Sequence, residues 1–172
     1  MKKFIKNIIL ASLILIPIAS VSGKTMTKTS NSNVCKVRSS NYIHYQSSSK
    51  SVYICHENKI LDTFKASYGS NGLGKTKKGD RKTPTGLYTI QPPRSSSSIW
   101  RTFIHIDYPT KSQKEKGYTG GSVGLHGPSQ YFPFGNDLIN YGAGCIVVAD
   151  NKSIDLIVNY VVNFDIKYIY IV

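Results

Sequence analysis

Acidic side chains are scarce in this 172-residue chain: nine Asp and Glu stand against 22 Lys and Arg, a formal net charge of +13. Such a balance draws a protein toward polyanions such as cell-wall polymers, anionic lipid heads or nucleic acid, although a basic surface also serves solubility alone. No recognition helix or aromatic RNA-binding motif accompanies the charge, so nucleic acid is not the expected partner. There are only three cysteines, Cys35, Cys55 and Cys145. Neither they nor the histidines repeat at zinc-ligand spacing, so no metal site is expected. No internal repeat is visible. Asp107 and Asp137 are too far apart in sequence to argue for a glycosidase pair. Apolar runs long enough to span a bilayer are also lacking.

The chain opens on MKKFIKNIILASLILIPIASVSG. Lys2, Lys3 and Lys6 precede a short apolar core, Ile8 to Ile18, and small residues Ser20, Ser22 and Gly23 follow. This is the pattern of a secretory signal peptide over residues 1–23, with an uncleaved N-terminal anchor as the competing reading. No cysteine follows the core, which argues against a lipoprotein. Cleavage would remove three lysines and no acid, leaving 19 basic and nine acidic residues and a net charge of +10. Residues 24–33 are polar and read as a flexible lead-in. Residues 34–172 then suffice for one domain with a core of its own.

That domain reads as mainly β. Tyr42–Tyr45, Ser51–His56 and Ile60–Ala66 are rich in β-branched and aromatic residues, and Glu57-Asn58-Lys59 reads as a tight hairpin connection. Further strands are expected at Leu87–Ile90, Arg101–Asp107, Val123–His126 and Phe164–Val172. Only Ser153–Asn163 has helical spacing, with Ile154, Ile157, Val158 and Val161 on one face and Asp150 or Asn151 placed to cap it.

Gly69-Ser70-Asn71-Gly72-Leu73-Gly74-Lys75-Thr76 satisfies the phosphate-loop pattern G-x-x-x-x-G-K-[ST]. That mechanism needs a helix to begin at once, so that its N-terminus faces the phosphates. Lys77-Lys78-Gly79-Asp80, Pro84 and Gly86 follow instead, so the segment is read as a glycine-rich basic hairpin loop. Thr83-Pro84-Thr85-Gly86 then makes a turn.

Chemistry concentrates in Ser122–Asp150. An apolar run ends in His126-Gly127, and Gly142-Ala143-Gly144-Cys145 opens another, Ile146-Val147-Val148. Glycines beside a cysteine let backbone N–H groups approach a substrate. A buried strand cysteine and a turn histidine are the plainer reading of two such residues. Placed together, Cys145 would act as nucleophile and His126 as general base and then acid, in the manner of ion-paired cysteine enzymes. The backbone N–H groups of Ala143 and Gly144, with that of Cys145, would form the oxyanion hole. A catalytic thiolate should then alkylate readily near neutral pH. Tyr118, Tyr131, Phe132 and Phe134 could line a groove or simply pack in their loops. In an oxidising compartment Cys35 and Cys55 could pair, leaving Cys145 as the odd thiol.

The pattern resembles the L,D-transpeptidase catalytic (YkuD-like) family, whose signature is an upstream His-Gly followed by Ser/Thr-x-Gly-Cys and an aliphatic residue. His126-Gly127 and Gly144-Cys145-Ile146 match it, and Lys78–Tyr88 (KGDRKTPTGLY) matches its K-G-D-x-x-T-P-x-G-x-Y segment. The resemblance covers about Ser51 to Val172. It implies a YkuD-like β-sandwich or mixed β-fold with one C-terminal helix packed on the sheets. It also implies a secreted, periplasmic or wall-associated enzyme that attacks peptidoglycan stem peptides through a Cys145 acyl-enzyme, with no metal and no cofactor. The acyl group would pass to an amine, including that of a wall-attached protein, or to water. Gly127, Tyr131, Phe134, Tyr118 and Arg81 are the substrate-binding candidates. Gly142 stands where the family usually has Ser or Thr, Ala143 where it has His or Asp, and Val147 where many members have Arg. Ser98–Pro109 resembles a stretch of the YafK-like subgroup, which lacks that arginine. Lys75, Arg81, Lys82 or Arg101 could supply the missing cation. A non-catalytic, basic wall-binding module on the same fold is the alternative.

Overall fold

The computed structural model describes residues 33–95, 101–129 and 142–172. The signal-peptide reading, Tyr131, Phe132 and Phe134 lie outside the described residues. The centre of the structure is an antiparallel meander of β1 (Tyr42–Gln46), β2 (Ser51–His56) and β3 (Lys59–Ser67). Glu57 and Asn58 connect β2 to β3 with φ of 47° and 62°. Left-handed values at both positions make the two-residue turn that matches the twist of a hairpin.

Both faces of this meander are covered. Ile43, Tyr45, Val52 and Ile54 enter the main core, while Tyr42, Tyr53 and Cys55 face a smaller cluster with Val34 and Cys35. Burial on both sides explains why these strands read as near-continuous apolar runs. His44 lies on the second face, packed edge-on against Tyr53 and Tyr170.

The sheet grows outward from the meander. On one side β9 (Tyr168–Ile171) runs parallel to β1 and carries β4 (Gly86–Thr89). On the other side β8 (Ile146–Val148), β7 (Gly124–His126), β6 (Thr102–His105) and β5 (Arg94–Ser95) follow β3 in that order. Past the end of β4 the chain returns to β6: Ile90 bridges Ile106, and the Gln91 N–H donates to the His105 carbonyl at 2.8 Å. The nine strands therefore curl into a half-barrel.

A C-terminal helix packs against this sheet, as the apolar spacing predicts. It spans Asn151–Asn163 and buries Ile154, Ile157 and Val161, and the Asp150 carboxylate accepts from the Ser153 N–H at 2.7 Å. Sequence spacing does not show a second helix, α1 (Lys111–Glu115), which precedes that C-terminal helix, α2, in the chain. It buries none of its residues, so it has no apolar face to read. Its one sequence signal is the Thr110-x-x-Gln113 capping box, in which each side chain serves the other's backbone N–H.

Cys35 and Cys55 are joined by a disulfide across 20 residues. Closing a loop of that length restricts the unfolded chain by about 3 kcal/mol. Replacing both by serine should lower the unfolding free energy by about that amount in denaturant titration. The rate of Cys145 alkylation should stay unchanged, since the bridge belongs to a buried cluster separate from the core that β7 and β8 enter. Among the described residues no helix is long and apolar enough to cross a membrane, and no cluster of His, Cys, Asp or Glu could hold a metal ion.

Candidate active site

The two chemically prominent residues lie on adjacent parallel strands, His126 at the C-terminal end of β7 and Cys145 just before the start of β8. In the β7–β8 register Leu125 lies opposite Ile146 and His126 opposite Val147. Side chains alternate along a strand, so Cys145, two residues before Val147, projects on the His126 side. The same face carries Phe103, which is opposite His126, and His105, which is opposite Gly124. The Phe103 ring stacks on His126 with centroids 5.3 Å apart and also contacts His105 at 4.2 Å. Gly124 is required here: a side-chain carbon on it would lie 2.4 Å from the Phe103 ring and 2.3 Å from the Ile104 carbonyl oxygen.

His126 is 4% exposed, and its Nδ1 lies 2.6 Å from the Gly127 carbonyl oxygen. A carbonyl can only accept, so Nδ1 carries the proton and Nε2 is left as the basic nitrogen. Burial lowers the imidazole pKa to about 4, and the Gly127 carbonyl opposes this only in part. Gly127 is itself buried, with Asn151 and Ile154 of α2 packed so close that a side-chain carbon would meet each at 3.0 Å. Helix α2 thus holds the peptide that orients the histidine.

Cys145 is half-buried and donates its Sγ–H to the Ser122 carbonyl at 3.6 Å. Burial raises the thiol to about 11, offset in part by a backbone hydrogen bond at Gly124 and by the charge of Lys75. Both shifts favour a neutral thiol and a neutral imidazole over an ion pair. The thiolate is the nucleophile in alkylation, so raising the pKa lowers the rate at neutral pH. Iodoacetamide labelling of Cys145 should accelerate about tenfold per pH unit from 7 to 9. A plateau reached below pH 8 would show a resting thiolate instead.

Backbone packing behind the cysteine is unusually close. Gly144 has φ +131°, and a side-chain carbon there would lie 2.6 Å from the Lys82 carbonyl oxygen. A carbon on Gly69 would lie 2.3 Å from the Arg81 carbonyl oxygen. Gly142 bridges Gly69, and its carbonyl accepts from the Ser70 N–H at 2.9 Å. Segment 81–83 is thus sandwiched between the Gly69 loop and the cysteine turn.

Asp80 organises that segment. It accepts from Lys75 Nζ at 2.7 Å and from the N–H groups of Thr76, Lys77 and Lys82 at 2.9, 2.9 and 3.1 Å. Burial alone would raise its carboxyl, but these four donors, Lys75 first, hold it well below the usual carboxylate range. Lys75 is only 5% exposed and committed to this pair, and Arg101 pairs with Asp155 at 2.8 Å. Of the four cations considered for a substrate carboxylate, Arg81 is exposed and Lys82 half-buried beside Gly144. The phosphate-loop pattern ends in this ion pair and in a Leu73–Thr83 bridge, with no helix to follow.

Ala143 is exposed and Gly144 buried at the turn. Tyr118 is half-buried against the main core. Val147 is buried between Ser67 and His126 in the sheet register. The residues missed by sequence reading are Phe103, Gly124, Asp80 and Thr83. A single chain offers a hint only for the last two, which lie in the quoted K-G-D-x-x-T-P segment.

A curled β-sheet with a cysteine and a histidine at the ends of neighbouring parallel strands defines a class, and sequence comparison agrees with it. Residues 40–168 match the L,D-transpeptidase catalytic domain (YkuD), and the chain belongs to that family. It is 28% identical over 134 residues to YafK of Escherichia coli (strain K12), whose L,D-transpeptidase designation is provisional; the match covers 71% of this chain and 54% of that protein. The chain thus spans about half the length of the curated relatives it matches. Among solved structures it resembles the helical cell shape determining protein Pgp2 of Campylobacter jejuni, with TM-score 0.60 and 24% identity over 77% of this chain and 48% of that one. Bd1075 of Bdellovibrio bacteriovorus follows at 0.56 and 24%, over 78% and 48%. The catalytic domain of an E. faecium L,D-transpeptidase matches at 0.55 and 13%, over 79% of this chain and 99% of that domain.

Proposed function

We propose that this protein is a secreted cysteine enzyme of the L,D-transpeptidase type that acts on peptidoglycan stem peptides. The observation that carries the reading is the placement of Cys145 and His126 on one face of adjacent strands, with the histidine tautomer set by the Gly127 carbonyl. Cys145 Sγ attacks the carbonyl carbon that links the third stem residue to the terminal D-Ala, and its proton passes to His126 Nε2. The tetrahedral oxyanion collapses, the C–N bond breaks, and His126 returns the proton to the departing D-Ala amine. An amine or a water then attacks the thioester, giving up a proton to His126, and the thiol is restored. Arg81, which is exposed, and Lys82, whose backbone packs against Gly144, are the proposed cations for the substrate carboxylate, a task that Val147 cannot perform.

Kinship with YafK, together with Gly142, Ala143 and Val147 at the variable motif positions, supports a place in the YafK-like subgroup, which favours trimming or release as much as cross-linking. The signal-peptide pattern read at residues 1–23 supports action outside the cytoplasm. Intact mass spectrometry after incubation with a stem tetrapeptide tests the covalent step. The protein should gain the mass of the peptide less D-Ala, and Cys145→Ala should gain nothing. An unmodified wild-type protein would contradict the proposal.

A further inference from the structure

We propose that Thr83 is a positioning residue for the oxyanion hole, acting through the Gly144–Cys145 peptide; the inference rests on the acyl-enzyme chemistry proposed above. Thr83 is fully buried, 0% exposed, and every hydrogen-bonding group it has is engaged. Its N–H donates to the Gly72 carbonyl at 2.9 Å, and its carbonyl accepts from Gly74 and Lys75 at 2.9 and 3.3 Å. Its hydroxyl oxygen accepts from the Gly69 N–H at 2.8 Å and lies 2.9 Å from the Gly144 carbonyl oxygen. A carbonyl cannot donate, so the hydroxyl proton must point at Gly144.

That bond fixes more than a carbonyl. The Gly144–Cys145 peptide is trans, because the one cis bond among the described residues is Tyr108–Pro109. In a planar trans peptide the C=O and the following N–H point in opposite directions. Holding the Gly144 oxygen against Thr83 therefore turns the Cys145 N–H to the opposite side of the peptide. Gly144 at φ +131° could otherwise let this peptide rotate, since glycine opposes few rotations. The threonine hydroxyl supplies the restraint that glycine lacks, and its Gly69 bond ties it to the loop after β3.

Two reactions of the same thiol separate this role from general support of the fold. Acylation by p-nitrophenyl acetate passes through a tetrahedral oxyanion and needs no stem-peptide recognition. Alkylation by iodoacetamide is a displacement at saturated carbon and forms no oxyanion. Thr83→Val should slow acylation about 100-fold, the usual cost of losing one oxyanion donor. Alkylation should change less than about threefold, and Thr83→Ser should restore acylation, since the chemistry tracks the hydroxyl alone. Should the valine variant fail to fold, Thr83→Ala leaves room for a water at the Gly69 N–H and carries the same comparison. Equal loss of both reactions, unchanged acylation, or no rescue by serine would overturn the inference. A wild-type protein that acylates with the ester but never with the stem tetrapeptide would instead count against the proposed substrate.

Discussion

His126→Gln is expected to lower acyl transfer about 10³-fold, within the range of a lost general base. Glutamine keeps a similar volume against Phe103, so the fall should reflect proton transfer rather than packing. The resting state makes the histidine indispensable. With the thiol raised to about 11 and the imidazole lowered to about 4, almost no thiolate exists at neutral pH. In the proposed mechanism proton transfer then accompanies attack, with Nε2 receiving the proton. The sign of the pH dependence follows. With His126 as the proposed neutral base, wild-type kcat/KM should hold from neutral pH down to about 5 and fall as pH drops through about 4. The glutamine variant should lose that acid limb and depend on thiolate alone, rising with pH. A rate profile on a stem tetrapeptide from pH 4 to 10 checks both. A wild-type limb near 6.5 would contradict the burial argument.

Gly144→Ala is expected to damage both stability and chemistry. The residue sits at φ +131°, where a side chain strains the backbone by about 1–3 kcal/mol. Its new carbon would also fall 2.6 Å from the Lys82 carbonyl oxygen, a backbone atom that cannot rotate aside. Relief requires the cysteine turn to move away from segment 81–83, breaking the Thr83 bond as it goes. A displacement near 1 Å costs about 100-fold in a positioned reaction, so acylation should fall at least that far. Gly121 has open space around it and ordinary φ, so Gly121→Ala should shift stability by less than about 0.5 kcal/mol. Denaturant titration and ester acylation of the two variants make the comparison.

These two positions also mark what a single chain reveals. The meander, its Glu57-Asn58 turn and α2 are local, set by alternation, turn chemistry and 3.6-residue spacing, and they stand where the sequence puts them. Helix α1 buries nothing and β5 has two residues, so neither leaves an apolar signature. The parallel pairings of β1 with β9 and β7 with β8 join segments far apart in sequence, which no local pattern encodes. At the candidate site, Cys145 and His126 stand out in the sequence by type and flanking glycine. Their protonation does not, because it depends on burial by distant strands. Thr83-Pro84-Thr85-Gly86 reads as a turn, and nothing local shows that Thr83 reaches Gly144 across 61 residues. Lys75 reads as a free cation until Asp80 is seen to hold it.

The most direct test of the account is mass spectrometry of purified peptidoglycan incubated with residues 24–172 of the protein beside the same chain carrying Cys145→Ala. The account predicts loss of terminal D-Ala, new 3-3 dimers or release of attached protein, each absent with the variant. Unchanged products, from protein that still sediments with the same sacculi, would contradict it and leave a wall-binding module on a catalytic fold.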